Sequence, residues 1–227
     1  MNKTGILIQA RLSSSRFPRK MLDEICGFRL CEYVYNRCRM SKLDLVAVIT
    51  SNDASDDELA SFCDSRGIPV FRGDLNNVLD RYIKAADYFG LENIIRVCGD
   101  SPFVDIDLID EIIQLALNRG FEYCAVVDCL NGFMSEFVEL GTLKQIALMA
   151  DLSMEDKEHV TKYIRDRVDM FKSGFMEANL RPKELERYTL TVDYPVDIEI
   201  ARKVCKDLKG FDFKSTEILE ILQKIEG

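Results

Sequence analysis

The chain has 227 residues, 47% of them hydrophobic and 30% charged, with a formal net charge of −9. A chain of this size buries roughly 70–75% of its unfolded surface, so its core needs no disulfide framework or structural metal, and its composition excludes a disordered polypeptide. The acidic balance, with no long Lys/Arg run, argues against a nucleic-acid partner, because phosphate backbones require a basic face.

Short apolar runs alternate with helical patterns through the first half. Residues 5–10 read as a buried strand and 30–41 as a helix, with Leu30, Val34 and Cys38 on one face. A second buried strand over 45–51 leads to a helix over 56–66 that stops at Gly67. A short strand is expected at 69–71, a helix at 77–89 ending at Gly90, and a strand at 93–98. A helix over 107–118, closed by Gly120, and a strand over 122–127 complete this half. Continuous apolar strands separated by helices predict an α/β fold, a single domain with a mostly parallel sheet and helices on both faces.

The second half is less regular. Strands are expected at 133–140, 174–179 and 188–192, and helices at 142–150, 155–168, 196–208 and 215–225. No Pro-, Gly- or Ser-rich linker divides the chain. Residues 1–127 read as a nucleotide-binding core, and 128–227 as an elaboration of the same domain carrying acceptor-side residues and a homodimer contact. The eight cysteines include no Cys-x-x-Cys, and the single histidine, His159, is remote from them in sequence, which disfavours zinc. The apolar start is too short for a signal peptide or a membrane span. The expected setting is therefore cytoplasmic, without membrane insertion, and the cysteines are read as reduced and mostly buried.

Ligands of open parallel sheets bind beyond the carboxyl ends of the strands. After the first strand comes Arg11-Leu12-Ser13-Ser14-Ser15-Arg16-Phe17-Pro18-Arg19-Lys20. Its hydroxyls and cations suit a small polyphosphate, and it matches neither a Walker loop nor a dinucleotide fingerprint. Asp100, after Gly99 at the tip of the 93–98 strand, is placed either to hold a hard cation such as Mg²⁺ or simply to make a turn. Asp193 follows the 188–192 strand and could share that metal, while Asp197 reads as supporting the next helix or as a substrate-side group. Asp105 and Asp107 together form an Asp-x-Asp of the kind metal-dependent glycosyltransferases use, but their place at a helix start favours capping. His159, inside a helical pattern, is a substrate-side candidate.

These motifs resemble, in order and over nearly the whole chain, the SpsF-like cytidylyltransferases of polysaccharide biosynthesis, relatives of the enzymes that make CMP-activated sugar acids. The similarity runs from Ile8–Lys20 through Arg72-Gly73, Asp80-Arg81-Tyr82, Arg96 to Pro102, and Glu158 to Thr161, ending at Leu190–Asp197. The resemblance implies CTP and a small-molecule acceptor as substrates. It implies a triphosphate held by Arg11, Ser14, Arg16 and Lys20, a catalytic Mg²⁺ on Asp100 and Asp193, and Arg72 and Asp80 toward the base and ribose. Arg11, Lys20 and Asp100 would be the catalytic group. The family usually has Gly where this chain has Arg19. A positive φ there would strain the loop, and any other conformation would make Arg19 one more phosphate donor. The rival readings are a nucleotide-sugar glycosyltransferase using Asp105 and Asp107, and a non-catalytic nucleotide-binding subunit of the same fold.

Overall fold

The computed structural model describes residues 3–226. Strand β1 (Thr4–Gln9) is followed by a long loop and a small hairpin, β2 (Glu24–Ile25) and β3 (Phe28–Arg29). Then come α1 (Leu30–Cys38), β4 (Val46–Ser51), α2 (Asp57–Ser65), β5 (Val70–Gly73), α3 (Val78–Phe89) and β6 (Asn93–Cys98). The chain continues through α4 (Ile106–Arg119), β7 (Tyr123–Cys129), β8 (Glu136–Glu139), α5 (Leu140–Ile146), α6 (Met154–His159) and α7 (Lys162–Arg165). It ends with β9 (Ser173–Leu180), α8 (Pro195–Asp207) and α9 (Ser215–Glu226).

Seven strands form one sheet in the order β5-β4-β1-β6-β8-β7-β9. All neighbours pair in parallel except β8, which runs antiparallel to both β6 and β7. The period of two along each strand divides the core between the two faces. Ile6, Ile8, Val46, Val48, Ile95 and Val97 pack with α1, α4, α8 and α9, whereas Leu7, Ala47, Ile49 and Ile94 pack with α3, α5 and α7. Helix ends follow the local chemistry. Asn77 accepts from Asp80 N–H at 3.1 Å to start α3, and Gly90, at φ 66°, ends it. No helix among the described residues is long and apolar enough to cross a membrane.

Three sequence expectations are corrected. Residues 188–192 form no strand: Leu190 N–H donates to Asn131 O and Val192 N–H to Asp100 O, both at 2.8 Å. The hydrogen bonds of this segment go to two loop tips rather than to a neighbouring strand. The helix expected over 155–168 is broken at Val160, which has φ 54°. Finally, Cys26 and Cys205 are joined in a disulfide between the β2–β3 hairpin and α8, with Cα atoms 6.4 Å apart, so these two are not free thiols. Their sequence separation of 179 residues hid the pairing.

Candidate active site

The sheet order reverses at β1, whose two neighbours, β4 and β6, lie on opposite sides of it. The crevice beyond the carboxyl ends of β1 and β6 is the natural ligand position. Gly99 makes the approach of these two tips possible. A Cβ at that position would lie 2.9 Å from the Gln9 carbonyl oxygen, 3.0 Å from Met21 Sδ and 3.1 Å from Ala10 Cβ, so a side chain would push β1 and β6 apart.

The loop after β1 closes on itself, with Arg19 N–H donating to Leu12 O at 3.0 Å and Phe17 N–H to Ser14 Oγ at 3.3 Å. Asp56, fully buried at the start of α2, anchors it. One carboxylate oxygen accepts from Leu12 N–H at 2.7 Å, and the other from Ser51 N–H at 3.2 Å and from the Ser51 hydroxyl. Sequence reading missed Asp56. It lies among four acidic residues and reads as one more solvated charge.

A pocket of about 310 Å³ lies under the loop, lined by Gln9, Arg11, Ser13–Ser15, Arg16, Lys20, Cys98 and Asp100. Lys20 is buried, and its Nζ donates to Asp100 Oδ2 at 2.7 Å and to Val192 O at 2.7 Å, with Asp193 Oδ1 at 3.4 Å. Arg16 Nη2 reaches the same Asp193 oxygen at 2.6 Å, and its guanidinium carbon stands 5.4 Å from the Tyr194 ring centroid. Arg11 Nη2 donates to Glu158 Oε1 at 2.6 Å. The structure thus brings together Arg11, Ser14, Arg16, Lys20, Asp100 and Asp193.

A second pocket, about 180 Å³, shares Cys98 and Asp100 with the first and extends over Arg96, Asn131, Ser135, Glu136, Arg165 and Thr191. Its floor is a buried ionic network. Glu136 accepts from Arg96 Nη1 at 2.5 Å, Tyr123 OH at 2.6 Å and Thr161 Oγ1 at 3.0 Å, with Arg165 Nη1 at 3.5 Å. Burial alone would push the Glu136 carboxyl up. Arg96, the Tyr123 hydroxyl and Arg165 outweigh it and hold the group below its ordinary value. Gln9 Oε1 in the first pocket and Ser135 Oγ in the second are buried and find no hydrogen-bond partner among the described residues.

The sequence matches the cytidylyltransferase family over residues 5–224. The chain belongs to this family. It is 32% identical over 230 residues to the spore coat polysaccharide biosynthesis protein SpsF of Bacillus subtilis, covering 99% of this chain and 95% of that protein. It is 27% identical to a 3-deoxy-manno-octulosonate cytidylyltransferase of Francisella tularensis, over 78% of this chain and 68% of that one. Its fold superposes on a cytidylyltransferase structure from Leptospira borgpetersenii with a TM-score of 0.93 and 25% identity, covering 100% and 96% of the two chains.

In this cytidylyltransferase the remaining candidates fall outside the two pockets. Arg72 donates to Ser51 O at 2.9 Å and Asp53 O at 3.0 Å and pairs with Asp57, so it pins the β4–α2 turn. Asp80 pairs with Lys84 at 2.8 Å along α3. Asp197 is buried at the start of α8, accepting from Asp193 N–H at 2.8 Å and Tyr194 N–H at 2.7 Å, and acts by shaping the Asp193 turn. His159 is exposed at the end of α6. Asp105 caps α4, accepting from Leu108 N–H at 3.0 Å and from the Ser215 hydroxyl, and Asp107 pairs with Lys214 at 2.6 Å. The two carboxylates of that Asp-x-Asp are therefore committed elsewhere. Arg19 has φ 65° and pairs with Glu58, so it takes the left-handed conformation that the usual Gly supplies, and it is outside the lining of both pockets. A larger hollow of about 620 Å³, lined by Pro18, Arg19, Arg29, Glu58 and Phe62 among others, holds none of the strand-tip groups.

Among the described residues no group of three or more His, Cys, Asp or Glu could hold a metal. Two carboxylates do converge, since Asp100 and Asp193 contact one ammonium. That donor set fits Mg²⁺, which binds through one or two carboxylates and completes its octahedron with water and phosphate oxygens.

Proposed function

We propose that the chain transfers CMP from CTP to a sugar, sugar acid or related phosphorylated acceptor, releasing pyrophosphate. The reading rests on one observation: two pockets, one cationic and loop-covered, share Asp100 at their junction, with Lys20 beside it. The triphosphate occupies the first pocket, with Arg11, Ser14, Arg16 and Lys20 supplying donors to its oxygens. The acceptor occupies the second, over Arg165, Asn131 and Thr191. Residues 128–227 are then the acceptor-side portion, since Asn131, Arg165 and Thr191 all come from it.

An acceptor oxygen attacks the α-phosphorus in line, the bond from that phosphorus to the bridging α–β oxygen breaks, and the electron pair leaves with pyrophosphate. Such a step is accelerated mainly by positioning and charge stabilisation. Asp100 and Asp193 would hold Mg²⁺, which when bound polarises the phosphate oxygens and screens their charge. Lys20 and Arg16, released from those carboxylates, meet charge on the leaving pyrophosphate. The acceptor proton passes to solvent or to a carboxylate at the pocket junction.

The name of the Bacillus subtilis relative supports a place in surface polysaccharide synthesis. In the same reading the chain acts in the cytoplasm as a homodimer, which light scattering checks. The decisive experiment is pyrophosphate detection on adding CTP, Mg²⁺ and a panel of sugars, sugar acids and sugar phosphates, with mass spectrometry of the product. A CMP-linked product is expected. Binding of CTP without turnover across the panel would point instead to a non-catalytic nucleotide-binding subunit.

A further inference from the structure

Between α6 and α7 the backbone makes a tight reversal at a single residue. Val160 has φ 54° and ψ −65°, and Thr161 N–H donates to the His159 carbonyl at 2.5 Å. This is a γ-turn of the positive-φ hand, rare and strained for any residue. For a β-branched side chain it is a genuine outlier, and Val160 is fully buried. Strain of this kind persists only where the surroundings over-determine it.

Val160 itself packs into the core cluster with α3 and α7, and its sequence neighbours reach toward the two pockets. On one side of the turn, Glu158 Oε1 accepts from Arg11 Nη2 at 2.6 Å, and Arg11 lines the nucleotide pocket. On the other side, the fully buried Thr161 hydroxyl bonds to Glu136 at 3.0 Å, on the floor of the acceptor pocket. In an uninterrupted helix, residues three apart lie on the same face. Glu158 and Thr161 could not then serve separate pockets. The turn at Val160 aims them apart.

We propose that Glu158 is a positioning residue for the nucleotide. It holds Arg11 against the pocket wall, and the strained turn, anchored by Thr161 on Glu136, holds Glu158. A guanidinium has five N–H donors in a rigid fork. Glu158 engages one end of the fork and leaves the others for phosphate oxygens. Without this brace the long Arg11 side chain must be ordered by the nucleotide itself, at an entropic cost to binding. The proposal rests on the assignment of the first pocket to the triphosphate. It extends that assignment to a residue outside the pocket lining.

The test is a set of CTP titrations by calorimetry at saturating Mg²⁺, on the native chain and on Glu158→Ala, Arg11→Ala, Thr161→Val and the pairwise combinations. Glu158→Gln is included as a milder change at the same position. A partly exposed ion pair of this kind is worth up to about 1 kcal/mol, so Glu158→Ala should raise Kd measurably, by up to about fivefold. In the Arg11→Ala background it should raise Kd no further, because Glu158 acts only through Arg11. Thr161→Val should weaken CTP by a smaller factor, and that loss should vanish in the Glu158→Ala background. A merely structural role would make the losses additive, and additivity would overturn the proposal, as would an unchanged Kd for Glu158→Ala. An unchanged Kd for Thr161→Val would remove the turn from the brace. If the native chain fails to bind CTP, the nucleotide assignment falls and the positioning role falls with it.

Discussion

Lys20 donates to Asp100 at 2.7 Å from a side chain only 7% exposed, so the one buried cation of the β1 loop is held against the carboxylate at the tip of β6. In the proposed reaction a triphosphate already carries its charge in the ground state, and Arg11 and Arg16 would share that load. In the same proposal Lys20 would meet the additional charge that appears as the α–β bond breaks, so its loss should appear chiefly in turnover. Lys20→Ala is expected to lower kcat about 100- to 1,000-fold with a much smaller change in CTP Kd. Lys20→Arg should not restore activity, because a planar fork does not fit where a compact ammonium bridges three oxygens. Steady-state kinetics beside a binding titration separates these effects. A Kd increase that accounts for the whole loss would make Lys20 a binding residue only.

Asp100 and Asp105 are near neighbours in sequence with different tasks. Asp100→Asn should abolish turnover and the Mg²⁺ dependence of CTP binding, since it removes an anionic oxygen shared by both pockets. Asp105→Asn keeps a capping oxygen and should leave most activity intact. Asp105→Ala removes the α4 cap and should cost about 1 kcal/mol of stability, seen in a denaturant midpoint, again with activity retained. The opposite ranking of the two Asn variants would favour the Asp-x-Asp glycosyltransferase chemistry.

Arg19 occupies a left-handed backbone position at φ 65° with no glycine to ease it. Its ion pair with Glu58 joins two side chains that are each more than half exposed, so it offsets little of that strain. Arg19→Gly should therefore raise Tm by about 1–3 °C, the shift a relieved left-handed residue gives in a chain of this size, and should preserve activity. A fall in Tm would mean that the Glu58 contact outweighs the backbone term.

Glu136 carries a pH signature. Its carboxyl lies below the ordinary value of 4.5 in the folded chain. A depressed folded value contributes stability that is present above the unfolded pKa and is lost as pH falls through the folded one. Glu136→Gln should thus be less stable than the native chain at pH 7, with the gap closing as pH drops below about 4.5. Urea midpoints measured from pH 7 down to pH 3 test this. A gap that stays constant with pH would assign the loss to packing instead of charge.

The sequence by itself determined the alternation of apolar strands and helices, and with it the sheet and the position of the candidate site. Buried parallel strands must read as unbroken apolar runs, and the residues just beyond them must line the ligand crevice. Arg11, Lys20 and Asp100 therefore fall together at one end of the sheet from their places in the sequence alone. Asp105 was legible as a cap for the same reason, because a carboxylate one residue before a helix has free N–H groups to accept from. The tertiary structure alone decided what depends on contacts between distant segments. Val192 bonds to Asp100 and not to a strand, which removed a strand but still delivered Asp193 to Lys20. Asp56 became the buried anchor of the β1 loop, and Cys26 met Cys205, through packing that no local pattern encodes. Glu155 to Val168 reads as one helix because Val160, Tyr163, Ile164 and Val168 recur at helical spacing and no Gly or Pro interrupts them. The chain turns at Val160 with Glu158 bonded to Arg11 on one side and Thr161 bonded to Glu136 on the other, contacts between distant segments that no local pattern encodes.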